Sequence, residues 1–322
     1  MPDCSIDAVV TDPPYGLSFM GKRWDYDVPS TEIWAECLRV LKPGGYLLAF
    51  AGTRTQHRMA VRIEDAGFEI RDMLAWMYGS GFPKSHNLDG EHQGWGTALK
   101  PAMEPITMAR KPFKATVAQN VQEWGTGAIN IDGCRIETDN NLNGGGYSGG
   151  TPKTMFSGLG RLQPDEYIQP EGRWPANVMH DGSAEILQGM GEAARFFYTP
   201  KACKDDRDDG CEMMEERWKA GYSYTDTPGN PADRMFKDRE TLKRNFHPTV
   251  KPTDLMRYLC RMVTPTGGIV LDPFTGSGST GRGAVLEGFR FIGCEMDADY
   301  IEIAKARILA AEKAYQPCLT FD

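Results

Sequence analysis

No stretch of about 18 consecutive apolar residues occurs in the 322-residue chain, which argues against a membrane-spanning helix. The opening "MPDCSIDAVV" has neither a basic n-region nor an apolar h-region, so it does not read as a secretory signal. No CxxC pair occurs among the eight cysteines, Cys4, Cys37, Cys134, Cys203, Cys211, Cys260, Cys294 and Cys318. Their scatter argues against a disulfide scaffold and suits a reducing compartment. His180, Cys203 and Cys211 lack any ligand pair at zinc-finger spacing, so no metal is expected. These absences together describe a cytoplasmic protein.

Positive charge is also scarce. The formal net charge is −8, which is awkward for a surface that must bind phosphates. Two stretches run against that average. Lys237, Arg239, Lys243, Arg244 and Lys251 outnumber Asp238 and Glu240, and Arg110, Lys111 and Lys114 form a second basic segment. A basic cleft on an acidic body and an ordinary solvated face both fit these numbers.

What is present is ordinary globular material, 40% hydrophobic and 25% charged. The length suits one large α/β domain with a substantial insertion, or two domains. Residues 6–10, "IDAVV", read as a buried strand. Ser30 to Leu41 place Ile33, Trp34, Cys37, Leu38 and Leu41 at helical spacing behind a Ser/Thr start. "KPGG" then ends the helix, and "YLLAFAG" is the continuous apolar run of a buried parallel strand. A helix to about Ala66 and a strand near "FEIRDMLAWMYG" complete a β-α-β-α-β alternation, the signature of a doubly wound, mostly parallel sheet.

The middle differs. From about Asn87 to Asn245 the chain is rich in Gly, Pro and Asn, including "NNLNGGGYSGGTPKT". It reads as a loop-rich insertion, or in the glycine tract as a slack linker. Order returns in "HPTVKPTDLMRYLCRMVTP", an amphipathic helix with its lead-in. The sequence "GGIVLDPFTGSGSTGRGAVLEGFRFIGCEMDADYIEIAKARI" then reads strand, glycine loop, helix, strand, acid, helix. The expected division is therefore 1–87 and 245–322 as two halves of one α/β domain, with 88–244 inserted.

Two loops carry chemistry. In "TDPPYG" the prolines forbid both continued ladder pairing and an immediate helix, so a stiff loop projects Asp12 and Tyr15 from a sheet edge. That is either punctuation, with Asp12 as a cap and Tyr15 at the core edge, or a pocket for a flat hydrogen-bonding ligand. In "VLDPFTGSGSTG" the glycines let backbone approach a ligand, and the helix N-terminus adds free N–H groups. Glu295 stands at the next strand end, where nucleotide-type folds place an acid for ribose hydroxyls.

"DPPYG", "HPTVKP" and "DPFTGSGSTG…GCEMD", in this order, resemble the amino-methylating DNA methyltransferases that use S-adenosylmethionine. The order resembles their permuted β-type arrangement, and the insert loosely resembles phage and prophage members. The resemblance implies a Rossmann-like methyltransferase fold, permuted, with 88–244 as an inserted target-recognition region. Asp12 and the Pro13 carbonyl would accept the hydrogens of a target amine, with Pro14 stiffening the loop and Tyr15 stacking on the base. Asp272, Phe274, Gly276 and Gly278 would shape the cofactor pocket, with Glu295 on the ribose. His247, Pro248, Thr249 and Lys251 would close over the methionine end; turn and helix-lead-in roles fit His247 and Lys251 equally. No metal or covalent enzyme intermediate is implied.

The implied substrate is double-stranded DNA with its target base flipped out, in a bacterium or a phage-infected bacterial cell. An acid at the first motif position is the family's commoner N6-adenine form, while N4-cytosine shares the chemistry. RNA or a protein glutamine amide would suit similar loops. No nuclease motif is visible, so any restriction endonuclease would be a separate chain. Family members usually carry a further strand and an acidic turn upstream of the catalytic strand. A chain starting at Met1 would lack that element, leaving an open sheet edge, a weaker cofactor pocket and, as an alternative reading, an inactive DNA-binding remnant.

Overall fold

The computed structural model describes residues 1–17, 23–79, 81, 85–138, 171–200, 206–218 and 242–315. The glycine tract at 140–154 and Cys203 lie outside them. Strands β1 (Ile6–Thr11), β2 (Leu41–Phe50), β3 (Glu69–Met77), β4 (Met103–Arg110), β5 (Val178–His180), β8 (Ile269–Asp272) and β9 (Arg290–Gly293) form one sheet. Its order is β5-β3-β4-β2-β1-β8-β9. β1 runs parallel to β2 and β8, β8 to β9, and β3 to β5; β4 is antiparallel to both neighbours. β6 (Arg217–Trp218) and β7 (Leu242–Lys243) pair separately as a short antiparallel ribbon. The expected doubly wound, mostly parallel sheet is therefore present.

β1 reads "IDAVVT" and is buried throughout, as an interior parallel strand must be. From Ala8 onward its alternate residues serve opposite faces, and the register shift between Ile6 and Ala8 puts Ile6 on the face of Val9. Ala8 and Val10 pack under α5 (Thr253–Val263), while Ile6 and Val9 pack under α1 (Thr31–Val40) and α2 (Gln56–Asp65). α3 (Val117–Trp124) and α4 (Ala184–Met190) come from the middle of the chain. α6 (Ser279–Leu286) and α7 (Ala298–Ala314) follow β8 and β9. Among the described residues no helix is long and apolar enough to cross a membrane.

Two findings refine the sequence expectations. The "KPGG" turn lies inside β2: Ile6 pairs with Leu41 and Ala8 with Tyr46, so the intervening residues bulge out, with Gly44 at a φ of 79°. The stretch expected as an insertion also supplies two strands of the main sheet, β4 and β5. β4 contains Pro105, which cannot donate to a ladder and so demotes a strand assignment. Here its carbonyl still accepts from the Ala51 N–H at 2.9 Å, and Ile106, Met108 and Ala109 are buried. Tertiary packing overrides the local rule. At the other edge β9 pairs, among the described residues, with β8 alone, and Ile292 and Cys294 are exposed.

Candidate functional site

β1 and β8 are adjacent and parallel, so their C-terminal ends lie side by side. The chain turns to one side of the sheet after β1, toward β2, and to the other after β8, toward β9. Such a switch in direction opens a crevice beyond the strand ends, where ligands of doubly wound sheets bind. Both motif loops start there. They are tied at the root by the Thr11 hydroxyl, which donates to Asp272 Oδ1 at 2.6 Å.

The DPPY loop is held by a residue the sequence reading missed. Asp25, buried at the end of a short 3-10 turn, accepts from the backbone N–H groups of Tyr15, Gly16 and Leu17 at 2.6, 3.0 and 3.2 Å. An acid this far along the chain carries no local signal of that role. Gly16 has a φ of 68°, and a Cβ there would lie 2.9 Å from the Val28 backbone nitrogen, so the loop closes only on glycine.

At the loop's tip four ionisable side chains meet. The Tyr15 hydroxyl lies 2.7 Å from Asp12 Oδ1 and 3.2 Å from Glu104 Oε2. Lys251 Nζ donates to Asp12 Oδ2 at 2.7 Å and to the Tyr15 oxygen at 3.2 Å, and it pairs with Glu104 Oε2 at 3.1 Å. Burial works against the Lys251 charge, but Asp12 and Glu104 outweigh it and hold the ammonium above its ordinary pKa. Burial, followed by the same two carboxylates, pushes the Tyr15 phenol well up, so it stays protonated. Lys251 also sits 4.8 Å from the Phe50 ring centroid. The HPTVKP segment thus reaches the DPPY loop directly through Lys251. Glu104, on β4, was not anticipated.

The remaining HPTVKP residues face the glycine loop. His247 Nδ1 lies 2.5 Å from the Thr249 carbonyl, and burial pulls its pKa down. Its Nε2 edge points at Gly276, where a Cβ would come within 2.8 Å, and its ring packs edge-on to Tyr300 at 4.5 Å. Asn245, fully buried, accepts from the His247 N–H at 3.1 Å and fixes the turn. Pro248 is half-buried and Thr249 exposed.

In the glycine loop, Asp272 is buried, and its carboxyl is pushed up to about 6 by burial despite bonds from Thr11, Thr280 and the Phe274 N–H. Phe274 packs toward Trp34 at 6.2 Å between centroids. Gly276 has a φ of 51°, and its N–H donates to Glu295 Oε2 at 2.8 Å. Glu295 Oε1 accepts from the N–H groups of Met296 and Asp297 at 2.8 and 2.9 Å. Gly278 behaves differently: a Cβ there would lie 2.9 Å from Ala304 Cα, so this glycine lets α7 pack against the loop. Beneath them Arg307, fully buried, donates to the Ser277 carbonyl at 2.6 Å and to the Asp206 carbonyl at 2.8 Å. The structure therefore gathers Asp12, Tyr15 and Lys251 in one cluster, and His247, Gly276 and Glu295 in a contiguous second one.

The other candidate ligands are engaged elsewhere. His180 Nε2 lies 3.1 Å from the Ala194 carbonyl, and Cys211 packs with Tyr300 and Ile303. No group of metal-ligating side chains occurs among the described residues.

Comparison with known proteins places this geometry in context. The N6/N4 methyltransferase family model, described as DNA methylase, matches residues 6–306. The type II methyltransferase M.HindIII of Haemophilus influenzae is 33% identical over 115 residues, 31% of this chain and 37% of that protein. The DNA adenine methyltransferase YhdJ of Escherichia coli is 36% identical over 91 residues, 27% of this chain and 30% of its own. The matched regions thus span about a third of these curated relatives. Among solved structures, the cytosine-N4-specific PvuII DNA methyltransferase superposes with a TM-score of 0.50 at 15% identity, covering 95% of this chain and 80% of its own. That likeness is one of fold.

Proposed function

The chain belongs to the DNA methylase family of N6/N4 methyltransferases, whose cofactor is S-adenosylmethionine, and on that premise we propose that it methylates the exocyclic N6 of adenine at specific sites in double-stranded DNA. The observation that carries the reading is the meeting, at one switch point, of the DPPY loop with Lys251 and of the glycine loop with Glu295. Asp12 at the first motif position favours adenine. So does the 36% identity with a DNA adenine methyltransferase over 91 residues. N4-cytosine is the alternative, because its amine poses the same chemical problem.

The residues present fit the cofactor. Glu295 accepts three backbone N–H groups, and an ionised carboxylate has about four acceptor positions, so one is left for a hydroxyl. Beside it, Asp12, Glu104 and Lys251 sum to one negative charge, which suits a sulfonium. When bound, S-adenosylmethionine supplies an electrophilic methyl group. The chain's own residues do the rest. An aromatic exocyclic amine is a poor nucleophile because its lone pair is delocalised into the ring. Asp12 and the Pro13 carbonyl accept its two hydrogens and turn the lone pair out of conjugation. Pro13 and Pro14 hold that geometry in advance. Tyr15 offers a ring face to the flipped base, a contact of about 1–3 kcal/mol. His247, Pro248 and Thr249 line the cofactor side, and Asp272, Phe274, Gly276 and Gly278 shape its floor.

The parts of 88–244 outside β4 and β5 form the target-recognition region, and the base is flipped into the crevice. The protein works in the cytoplasm of a bacterium or phage-infected cell, and any restriction endonuclease partner is a separate chain. The test is incubation with S-adenosylmethionine and unmethylated DNA, followed by nucleoside digestion and mass spectrometry. N6-methyladenine supports the proposal; N4-methylcytosine in its place transfers it to the other base.

A further inference from the structure

Glu104 enters the mechanism above only through the net charge of the ionisable cluster. It sits on β4, opposite Trp76 of β3, at the end of the sheet that carries the DPPY loop. Its side chain is 21% exposed, and its Oε2 contacts both the Lys251 ammonium and the Tyr15 hydroxyl. Asp12 and Lys251 alone would form a closed pair, with the ammonium cancelling the field of the carboxylate that faces the substrate. With Glu104 the ammonium is shared between two carboxylates at 2.7 and 3.1 Å, and the cluster carries one net negative charge. Lys251 is 8% exposed, so water screens this balance weakly. Clustering two carboxylates around one ammonium in a half-buried site carries a desolvation cost that the single cation only partly offsets.

The charge has a use in the reaction. As the amine nitrogen bonds the methyl carbon, the donor's S–C bond would break and release a neutral thioether; the nitrogen, keeping both hydrogens, becomes cationic, and it returns to neutrality when one proton leaves for water. Negative potential at Asp12 therefore lowers the barrier as that positive charge develops. We propose that Glu104 is a positioning residue of the active site: by sharing Lys251 with Asp12 it keeps the cluster anionic where the target amine becomes cationic. Tyr15 fixes the arrangement, since its hydroxyl touches both carboxylates. This inference rests on the methyl-transfer reading above.

The test compares wild type, Glu104→Gln, Lys251→Met and the double variant. Glutamine keeps the size of Glu104 and an acceptor for Lys251 and Tyr15, so a purely structural role predicts a wild-type kcat. The charge role predicts a kcat about tenfold lower with the KM for DNA unchanged, as follows from one unit charge in a weakly screened site. Adding Lys251→Met to Glu104→Gln removes the cation that Glu104 balances, leaves Asp12 anionic and raises kcat above that of Glu104→Gln alone. Calorimetry gives a readout free of turnover. The affinity ratio of cationic S-adenosylmethionine to neutral S-adenosylhomocysteine falls in Glu104→Gln and recovers in the double variant. A wild-type kcat for Glu104→Gln, or a double variant no faster than it, overturns the inference. A wild type that binds cofactor but methylates no DNA refutes the functional reading instead, and an affinity ratio unmoved by Glu104→Gln then overturns this inference as well.

Discussion

Replacing Asp272 by asparagine should make the protein more stable at neutral and alkaline pH. Asp272 ends β8 and is 1% exposed, and burial lifts its carboxyl from an ordinary value of 3.8 to about 6. A gap of about two units corresponds to about 3 kcal/mol between the neutral and ionised forms. The sign follows from proton binding. Between the two values the folded protein keeps a proton that the unfolded chain has lost, so stability falls as pH rises through the folded value. The contribution is fully present below about pH 4 and gone above about pH 7; from about pH 5 to 8 the loss is about 1 kcal/mol. Asparagine mimics the neutral form and cannot ionise, so the variant lacks this loss. The assay is urea unfolding of both proteins, without cofactor, at intervals across that range. The stability difference should move in the variant's favour by about 1 kcal/mol from the acid to the alkaline end. A difference that does not change with pH would refute the reasoning, because Asp272 would then be titrating as a solvated carboxylate.

Three substitutions probe the cofactor side. Gly276→Ala puts a Cβ 2.8 Å from His247 Nε2 at a φ of 51°, so stability should fall by about 1–2 kcal/mol, read by urea unfolding, and cofactor affinity should drop in calorimetric titration. Glu295→Gln removes the charge that receives the Gly276 N–H and should weaken cofactor binding about tenfold while leaving the folded far-ultraviolet spectrum unchanged. Arg307→Met removes the buried donors to the Ser277 and Asp206 carbonyls and should cost about 3 kcal/mol in urea unfolding. Equal cofactor affinity in wild type and Glu295→Gln would remove Glu295 from the site.

The two motif loops were legible because their geometry is written locally. Proline ends β1 after Thr11, and glycine opens α6 after Asp272. Apolar runs and helical spacing placed β1, α1, β3 and α5 for the same reason. What stayed hidden is held by long-range contacts. Glu104 reaches Tyr15 across 89 residues from a strand whose proline speaks against its being one. Asp25 looks like any surface acid until three backbone N–H groups converge on it. Gly278 was visible as a glycine, but its neighbour Ala304 belongs to a helix more than twenty residues further on. The strands β4 and β5 were concealed in a stretch whose composition is dominated by loops.

The central claim is that Asp12, in the DPPY loop, activates a nucleobase amine for methyl transfer. The most direct measurement is incorporation of tritiated methyl from S-adenosylmethionine into unmethylated DNA by wild type and by Asp12→Ala, with cofactor binding checked in both. The account predicts label in DNA with the wild type, and loss of that label in Asp12→Ala with cofactor binding retained. Equal labelling by the two proteins, or none by a folded, cofactor-binding wild type across several DNA substrates, would contradict it.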